Sequence, residues 1–253
     1  MSGRAKDLVK SVKKQTGAYW LNYPPGRKIE LGDIVVREGG VWRVIGNVKD
    51  RGVEFTVNVD DSQAAFPWVT QSESGVKIEF ATEVQPGQFK YVVPGEIGAK
   101  VSLEGGSKYL LSMKGARVHR INSIEDTFWK SIKSKYSVWS WDLRHRIVTE
   151  IVVADSATFL GSGSAKAEYE LQGDAKLKAP GAPLAVGSLS ADFGLVSTAE
   201  SAETFASLPG KTPLIGLHKV GLFGGFTGAA EEASIEDQEI LPDDTDPDDE
   251  DNE

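Results

Sequence analysis

The sequence predicts an α+β fold, a twisted and mainly antiparallel sheet with a basic N-terminal helix and further short helices. Two observations carry this. Short runs alternating apolar and polar side chains follow one another between Gly, Pro and Asn turns, the pattern of a meander and not of βαβ units. Apolar residues at helical spacing are confined to two segments, one at the N-terminus and one in mid-chain. The chain of 253 residues can bury one sizeable core, and residues 1–230 are expected to form a single domain.

The first element, Gly3 to Thr16, places Ala5, Leu8, Val9 and Val12 at i, i+3, i+4 and i+7. Arg4, Lys6, Lys10, Lys13 and Lys14 set five cations against the single acid Asp7. Two readings stand: a surface helix docked on a sheet, or a face that meets acidic lipid head groups, where each nearby Lys or Arg contributes about 1 kcal/mol. After the turn "NYPPGRK" come the strands "DIVVRE", a Gly39-Gly40 turn, "VWRVIGNV" and "GVEFTVNV". From Gly75 to Val84 the chain alternates Val76, Ile78, Phe80, Thr82 and Val84 with Lys77, Glu79, Ala81 and Glu83. Phe89 to Val93 follows, and beyond Pro94-Gly95 the positions Ile97, Ala99, Val101 and Leu103 alternate with Gly98, Lys100, Ser102 and Glu104 before Gly105-Gly106 turns toward "KYLLSM".

Ser123 to Tyr136 is the clearest internal helix, with Ser123 and Asp126 placed as a capping box and Ile124, Phe128 and Ile132 on one face. A Trp-rich link, "SVWSWD", feeds "RHRIVTEIVVADSATFLGSGSAKAEYELQG". There Ile147, Thr149, Ile151 and Val153 alternate with Val148, Glu150 and Val152, and after Gly161-Ser162-Gly163-Ser164 come Ala165, Ala167, Tyr169 and Leu171 alternating with Lys166, Glu168 and Glu170. Period and punctuation predict a hairpin whose second arm has an apolar face thin for a core strand. "KAPGAPLAVGS" reads as a loop and "KTPLIGLHKVGLFGGF" as a final buried strand.

The formal charge of -9 hides two unlike parts. Residues 231–253 hold 13 acids and no base, and are expected to be a disordered acidic tail; residues 1–230 hold 24 acids against all 28 Lys and Arg, a net +4. The absence of cysteine excludes a disulfide framework, a thiol nucleophile and Cys-ligated metal. No signal-peptide core and no apolar run of about 18 residues is present, so a cytoplasmic protein is the simpler expectation.

No enzyme chemistry is supported, and no cofactor or metal is expected. His119, His145 and His218 have no metal-site spacing, "GKT" at Gly210 lacks the first glycine of a phosphate loop because Phe205 stands there, and "GSGS" does not form a nucleophile elbow. The tail has no Gly-centred twelve-residue loop for calcium.

The order of these elements, from Gly3 to Phe226, resembles the pore-forming domain of the gasdermins. "AKDLVKSVKK" stands where that family has its lipid-binding first helix, "DIVVREGGVWRVIGNVKD" resembles the first strand pair, "VPGEIGAKVSLEGGSKYLLSM" the first insertion region and "RIVTEIVVADSATFLGSGSAKAEYELQG" the second. No counterpart of the large C-terminal inhibitory domain of animal gasdermins follows, the turn "EGG" is shorter than their membrane-anchoring loop, and the N-terminal acylated Cys of the bacterial group is missing. The compact fungal regulator-of-cell-death homologues are therefore the nearest kind.

The resemblance implies a protein that is cytoplasmic when inactive, binds acidic phospholipid at the plasma membrane, and oligomerises into a transmembrane β-barrel with two inserted hairpins per subunit. Lytic cell death follows, in fungi as allorecognition and with a variant homologue as possible co-subunit; nucleic acid is not a partner. It assigns lipid contact to Arg4, Lys6, Lys10, Lys13, Lys14, Trp42 and Arg43. Insertion falls to Val76, Ile78, Phe80, Ile97, Val101, Leu103, Ile147, Ile151, Val153, Ala167, Tyr169 and Leu171, with Lys77, Glu79, Lys166, Glu168 and Glu170 toward the lumen. The tail either restrains the basic helix by charge or only solubilises. The rival readings are a β-rich chaperone that holds basic clients by its acidic tail, and a peripheral lipid-binding domain that never inserts.

Overall fold

A computed structural model describes residues 3–24, 26–64, 68–81, 96–122, 127–136, 142, 144–162, 166–174, 193–198, 202–207, 211–220 and 226–227. The acidic tail, the capping positions Ser123 and Asp126, Ile124, the run Phe89 to Val93, Gly163, Ser164, "KAPGAPLAVGS" and most of the Trp-rich link lie outside the described residues.

The elements are α1 (Gly3–Thr16), β1 (Trp20–Leu21), β2 (Asp33–Glu38), β3 (Val41–Asn47), a 3-10 turn (Val48–Arg51), β4 (Val57–Asp60), β5 (Trp68–Gln71), β6 (Val76–Ala81), β7 (Glu96–Leu103), β8 (Tyr109–Lys114) and β9 (Arg117–Ile121). Then follow α2 (Trp129–Tyr136), β10 (Arg146–Ala154), β11 (Ser156–Ser162), β12 (Ala167–Asp174), β13 (Phe193–Thr198), β14 (Ala202–Ser207), β15 (Lys211–Val220) and β16 (Phe226–Thr227). The fold is α+β, and every described strand pairing is antiparallel. β2 and β3 form the predicted hairpin, closed by Gly39 (φ 56°) and Gly40 (φ 81°), the left-handed pair that a two-residue turn needs.

Three sheets result. The root sheet has the order β1-β15-β10-β2-β3, with β9 also on β10, β4 on β9 and β16 on β15; the middle sheet is β14-β11-β8-β5; the outer sheet is β13-β12-β7-β6. One register runs through all three. Glu96 lies opposite Asp174, Leu103 opposite Ala167, Tyr109 opposite Gly161, Lys114 opposite Ser156, Arg117 opposite Val153 and Arg120 opposite Glu150. Residues 96–120 and 150–174 are thus one antiparallel ribbon, folded twice. β4, β5 and β6 follow its β9, β8 and β7 edge, while β15, β14 and β13 follow its β10, β11 and β12 edge.

The chain therefore forms two long hairpins with bent arms, and the arms differ from the expected ones at one place. β10 and β12 do not face each other across a turn at Gly161–Ser164; both belong to the same arm and both pair with the neighbouring arm 96–121. Gly161 and Ser162, the described part of the Gly-Ser cluster, close β11 at a corner between layers, where glycine permits either a bend or a reversal. α2 lies between β9 and β10, joining the two hairpins at the root end.

The corner between root and middle sheets is made by Gly115 (φ 62°), where a β-carbon would collide with the Asp155 side chain, and is pinned by Arg117 Nη1 to Asp155 Oδ1 at 2.6 Å. At the second corner Glu104 N donates to the Gly75 carbonyl (2.7 Å) and Ser162 N to the Lys108 carbonyl (2.8 Å). The larger core gathers Leu8, Val9 and Val12 of α1, Phe128 and Ile132 at α2, Ile147, Val148 and Val152 of β10, Leu214, Ile215 and Leu217 of β15, and Leu111, Met113 and Phe159 of the middle sheet. A smaller core lies between middle and outer sheets, where Leu110 and Leu160 meet Ala99, Val101, Leu103, Ala167, Tyr169 and Leu171.

Ile147 is fully buried in the larger core, whereas Val59 on the edge strand β4 is 48% exposed. Ile147→Ala should cost about 2–5 kcal/mol in urea unfolding, and Val59→Ala should change stability by less than about 0.5 kcal/mol. Equal effects would contradict this arrangement.

Candidate functional site

α1 lays its apolar stripe into the larger core, with Leu8 at 1% and Val9 and Val12 at 0% exposure, so its cations divide by geometry. Lys6, Lys10 and Lys14 are exposed, and Lys14 makes only a long surface contact to Glu73 at 3.7 Å. Lys13 is turned inward. Its Nζ donates to the Gly17 carbonyl (3.1 Å) and sits over the Trp20 ring at 5.4 Å, closing the helix end where Gly17 adopts φ 68°. The side chain of Arg4 lies outside the described residues.

The β2–β3 turn abuts the same helix, for a β-carbon on Gly40 would run into Lys6. Arg43 beside that turn is exposed but held by two bonds from Nε and Nη2 to Glu38 (2.7 and 2.5 Å), which keep the Glu38 carboxyl below its ordinary range. Trp42, expected at the lipid surface, is buried instead: its ring stands edge-on to Trp20 at 5.4 Å, with the Arg37 guanidinium over both rings at 5.8 and 5.1 Å. The accessible cationic face thus consists of Lys6, Lys10 and Lys14, next to the turn.

Glu150 ties the end of this helix to the ribbon through Tyr19. Thr16 Oγ1 accepts from Tyr19 N at 3.1 Å, and Tyr19 Oη donates to Glu150 Oε2 at 3.0 Å, with Arg120 Nε 3.9 Å from the other carboxylate oxygen. Gly216 lies opposite Glu150, and a β-carbon there would come within 2.9 Å of the Glu150 Cβ. Burial first, then the Glu150 charge and hydrogen bond, push the Tyr19 hydroxyl up to about 12. Thr149 Oγ1 and His218 Nδ1 lie 2.5 Å apart between β10 and β15.

The outer sheet is amphipathic. Val101, Leu103, Ala167, Tyr169 and Leu171 are fully buried against the middle sheet, and Val76 and Ile78 pack half-buried beside them. Of these, Ala167, Tyr169 and Leu171 form the face that the sequence marks as thin for a core strand; the middle sheet covers it. Phe80 and Ile97 lie opposite Ala99 and Gly173 in the register, their side chains outside the described residues. Ile147, Ile151 and Val153 are separate: they belong to β10 in the root sheet, where Val148 and Val152 bury the opposite face too.

On the outward face the register aligns Lys77, Ser102 and Glu168 in one row and Glu79, Lys100 and Glu170 in the next. Lys100 and Lys166 reach Glu168 at 3.5 and 2.6 Å, and Lys77 reaches Glu104 at 2.8 Å. The bond from Lys166 is the main reason the Glu168 carboxyl lies below its usual range, as that from Lys77 is for Glu104.

Beneath this sheet the polarity inverts. Ser112 of β8 and Thr158 of β11 lie opposite each other, 1% and 2% exposed, and neither hydroxyl has a hydrogen-bond partner. Along the ribbon, period two puts them with the outward set, Lys100, Ser102, Glu104, Lys108, Ser112 and Lys114 on one arm and Thr158, Ser162, Lys166, Glu168 and Glu170 on the other, a set interrupted by the facing core pair Leu110 and Leu160. Alternating with these run Ala99, Val101, Leu103, Tyr109, Leu111 and Met113, and Ala157, Phe159, Ala167, Tyr169 and Leu171. The chain alternates straight through the second corner, while packing there buries opposite sets in the two layers. The alternation across Gly105-Gly106 and across "GSGS" was the signal for this in the sequence.

No protein-family model matches the chain, and no curated protein matches it. Among the described residues no helix is long and apolar enough to cross a membrane.

Because the folded Tyr19 keeps its proton to about 12 against 10 for a free tyrosine, its contribution to stability is complete below pH 10 and is lost as pH rises toward 12. Burial pushes the Tyr109 hydroxyl up as well, so phenolate absorbance should display a late-titrating component that Tyr19→Phe diminishes without abolishing; a titration curve unchanged by that substitution would contradict the tether.

Proposed function

We propose that this chain is a membrane-permeabilising protein that binds acidic lipid, oligomerises, and unfolds its ribbon at the second corner to insert two β-hairpins per subunit into a shared barrel. The observation that carries the reading is the pair of buried, unpartnered hydroxyls on Ser112 and Thr158, on a face whose alternation is polar on either side of them except at the facing pair Leu110 and Leu160. In the folded chain they are a liability of about 1–3 kcal/mol each. In a straightened ribbon they join Lys100, Glu168 and Glu170 on a water-facing surface on which Leu110 and Leu160 are the apolar exceptions, and the alternate positions form the apolar face.

A membrane strand needs about 9–11 residues with all backbone groups paired in a closed barrel. Residues 96–114, straightened at about 3.3 Å each, would extend roughly 60 Å, ample for a hydrocarbon layer of about 30 Å. One chain supplies four strands, so many subunits must share a barrel. Val76, Ile78, Val101, Leu103, Ala167, Tyr169 and Leu171 meet lipid; Lys77, Glu79, Lys166, Glu168 and Glu170 line the lumen. β10 stays in the root sheet, so Ile147, Ile151 and Val153 remain core residues. Lys6, Lys10 and Lys14 make the first lipid contact. By its resemblance to compact fungal gasdermins the chain waits in the cytoplasm and acts at the plasma membrane in lytic cell death.

Dye release from vesicles tests this. Lys6→Glu/Lys10→Glu/Lys14→Glu should weaken sedimentation with anionic vesicles more than about a hundredfold, since each cation contributes about 1 kcal/mol, while far-UV circular dichroism stays that of the parent. Binding that survives reversal of all three charges would remove α1 from the membrane contact. Thr158→Val should raise the urea midpoint and slow leakage together, because it relieves the buried hydroxyl only in the folded state. A stabilised variant that leaks at the parental rate would mean that the second corner does not open.

A further inference from the structure

The proposed opening needs a fastening that holds the outer sheet down and a connection by which lipid contact could release it. Several bonds cross the second corner. Ser162, fully buried, donates from Oγ to the Gly105 carbonyl (2.7 Å) and accepts from Lys108 N (3.1 Å), while Ser107 N donates to the Ser162 carbonyl (3.1 Å). These bonds stay within the corner and can persist as it hinges. Tyr169 is different: it lies in β12, in the outer sheet, and its buried hydroxyl donates to the carbonyl of Gly161 in the middle sheet at 2.5 Å.

Gly161 is an unusual acceptor. Its pairing with β14 is irregular between Gly161 and Ser162, a bulge that changes the ladder at this point. It also lies against α1. A β-carbon built on Gly161 would be 3.5 Å from Leu8 Cδ1 and 3.2 Å from Phe159 Cε1, so helix and strand meet here without an intervening side chain. Leu8 is on the buried stripe of the helix whose outer face carries Lys6 and Lys10.

We propose that the Tyr169 hydroxyl and the Gly161 carbonyl form a latch that keeps the outer sheet folded on the middle sheet, and that α1 keeps it shut through Leu8. This rests on the pore reading for its purpose, not for its geometry. Lipid that pulls α1 off the core withdraws Leu8 from Gly161, the bulge relaxes, and the carbonyl moves from reach of Tyr169. Loss of that bond removes one of the contacts that hold the outer sheet to the middle sheet. Tyr169 is a positioning residue in this scheme, since its ring fills the smaller core whether or not the hydroxyl is bonded.

Hydrogen exchange on the full chain without lipid tests the latch apart from pore formation. Tyr169→Phe keeps the ring, and amides of β7 and β12 should exchange about five- to tenfold faster, the effect of one net hydrogen bond, while β10 and β15 exchange as in the parent. Leu8→Val should accelerate the same outer-sheet amides. The double variant should be no faster than the faster single one, as expected for two parts of one device. Unchanged exchange of β7 and β12 in Tyr169→Phe would overturn the latch, and acceleration by Leu8→Val confined to α1 would overturn its link to the helix. Vesicle leakage is then measured separately: a faster-exchanging Tyr169→Phe that leaves anionic vesicles sealed keeps the latch and overturns the pore.

Discussion

The constraint on which the rest depends is the unbroken register of residues 96–120 against 150–174. An antiparallel ribbon that never slips carries each corner through both strands at once, so the layers fold as units. Gly115 and Asp155 illustrate it, meeting across the first bend where one arm supplies the left-handed glycine and the other the carboxylate that Arg117 holds. The flanking strands inherit both bends by pairing along the edges, and the cores are the spaces left between layers.

The two cores are not equivalent. The larger one is built from branched and aromatic side chains of both sheets and both helices, and its loss would unfold the protein. The smaller one includes Ala99 and Ala167 and has two orphaned hydroxyls near it, so it contributes less per residue. The ion pairs on the outward face add little, being solvent-exposed. Stability therefore falls from the root sheet to the outer sheet.

Much of this was legible. The period-two runs around Val76 and Val101 mark the two faces of the outer sheet, Gly39-Gly40 marks the hairpin turn, and "KTPLIGLHKV", within the segment read as a final buried strand, is the buried strand β15. Lys13 could have been placed as well, since it follows Val9 by four residues and so borders the apolar stripe of α1. β10 was read as amphipathic from Ile147, Ile151 and Val153, although Val148 and Val152 between them already marked a strand buried on both faces. What local sequence could not decide was whether Gly161–Ser164 reverses the chain or bends it, because backbone freedom serves both and the deciding partner, the arm 96–114, is far away in sequence. Trp42 was beyond reach for a similar reason: the side of β3 that faces Trp20 is fixed by sheet packing.

A constant register also sets which changes in chain length the fold could tolerate. Deleting one residue inside either inner arm would turn every side chain beyond the deletion to the opposite face, setting charges against the core and apolar groups against water across the rest of that arm. Homologous chains should accordingly keep the spacing from one corner to the next, a kind of frame-keeping imposed by geometry rather than by any particular residue.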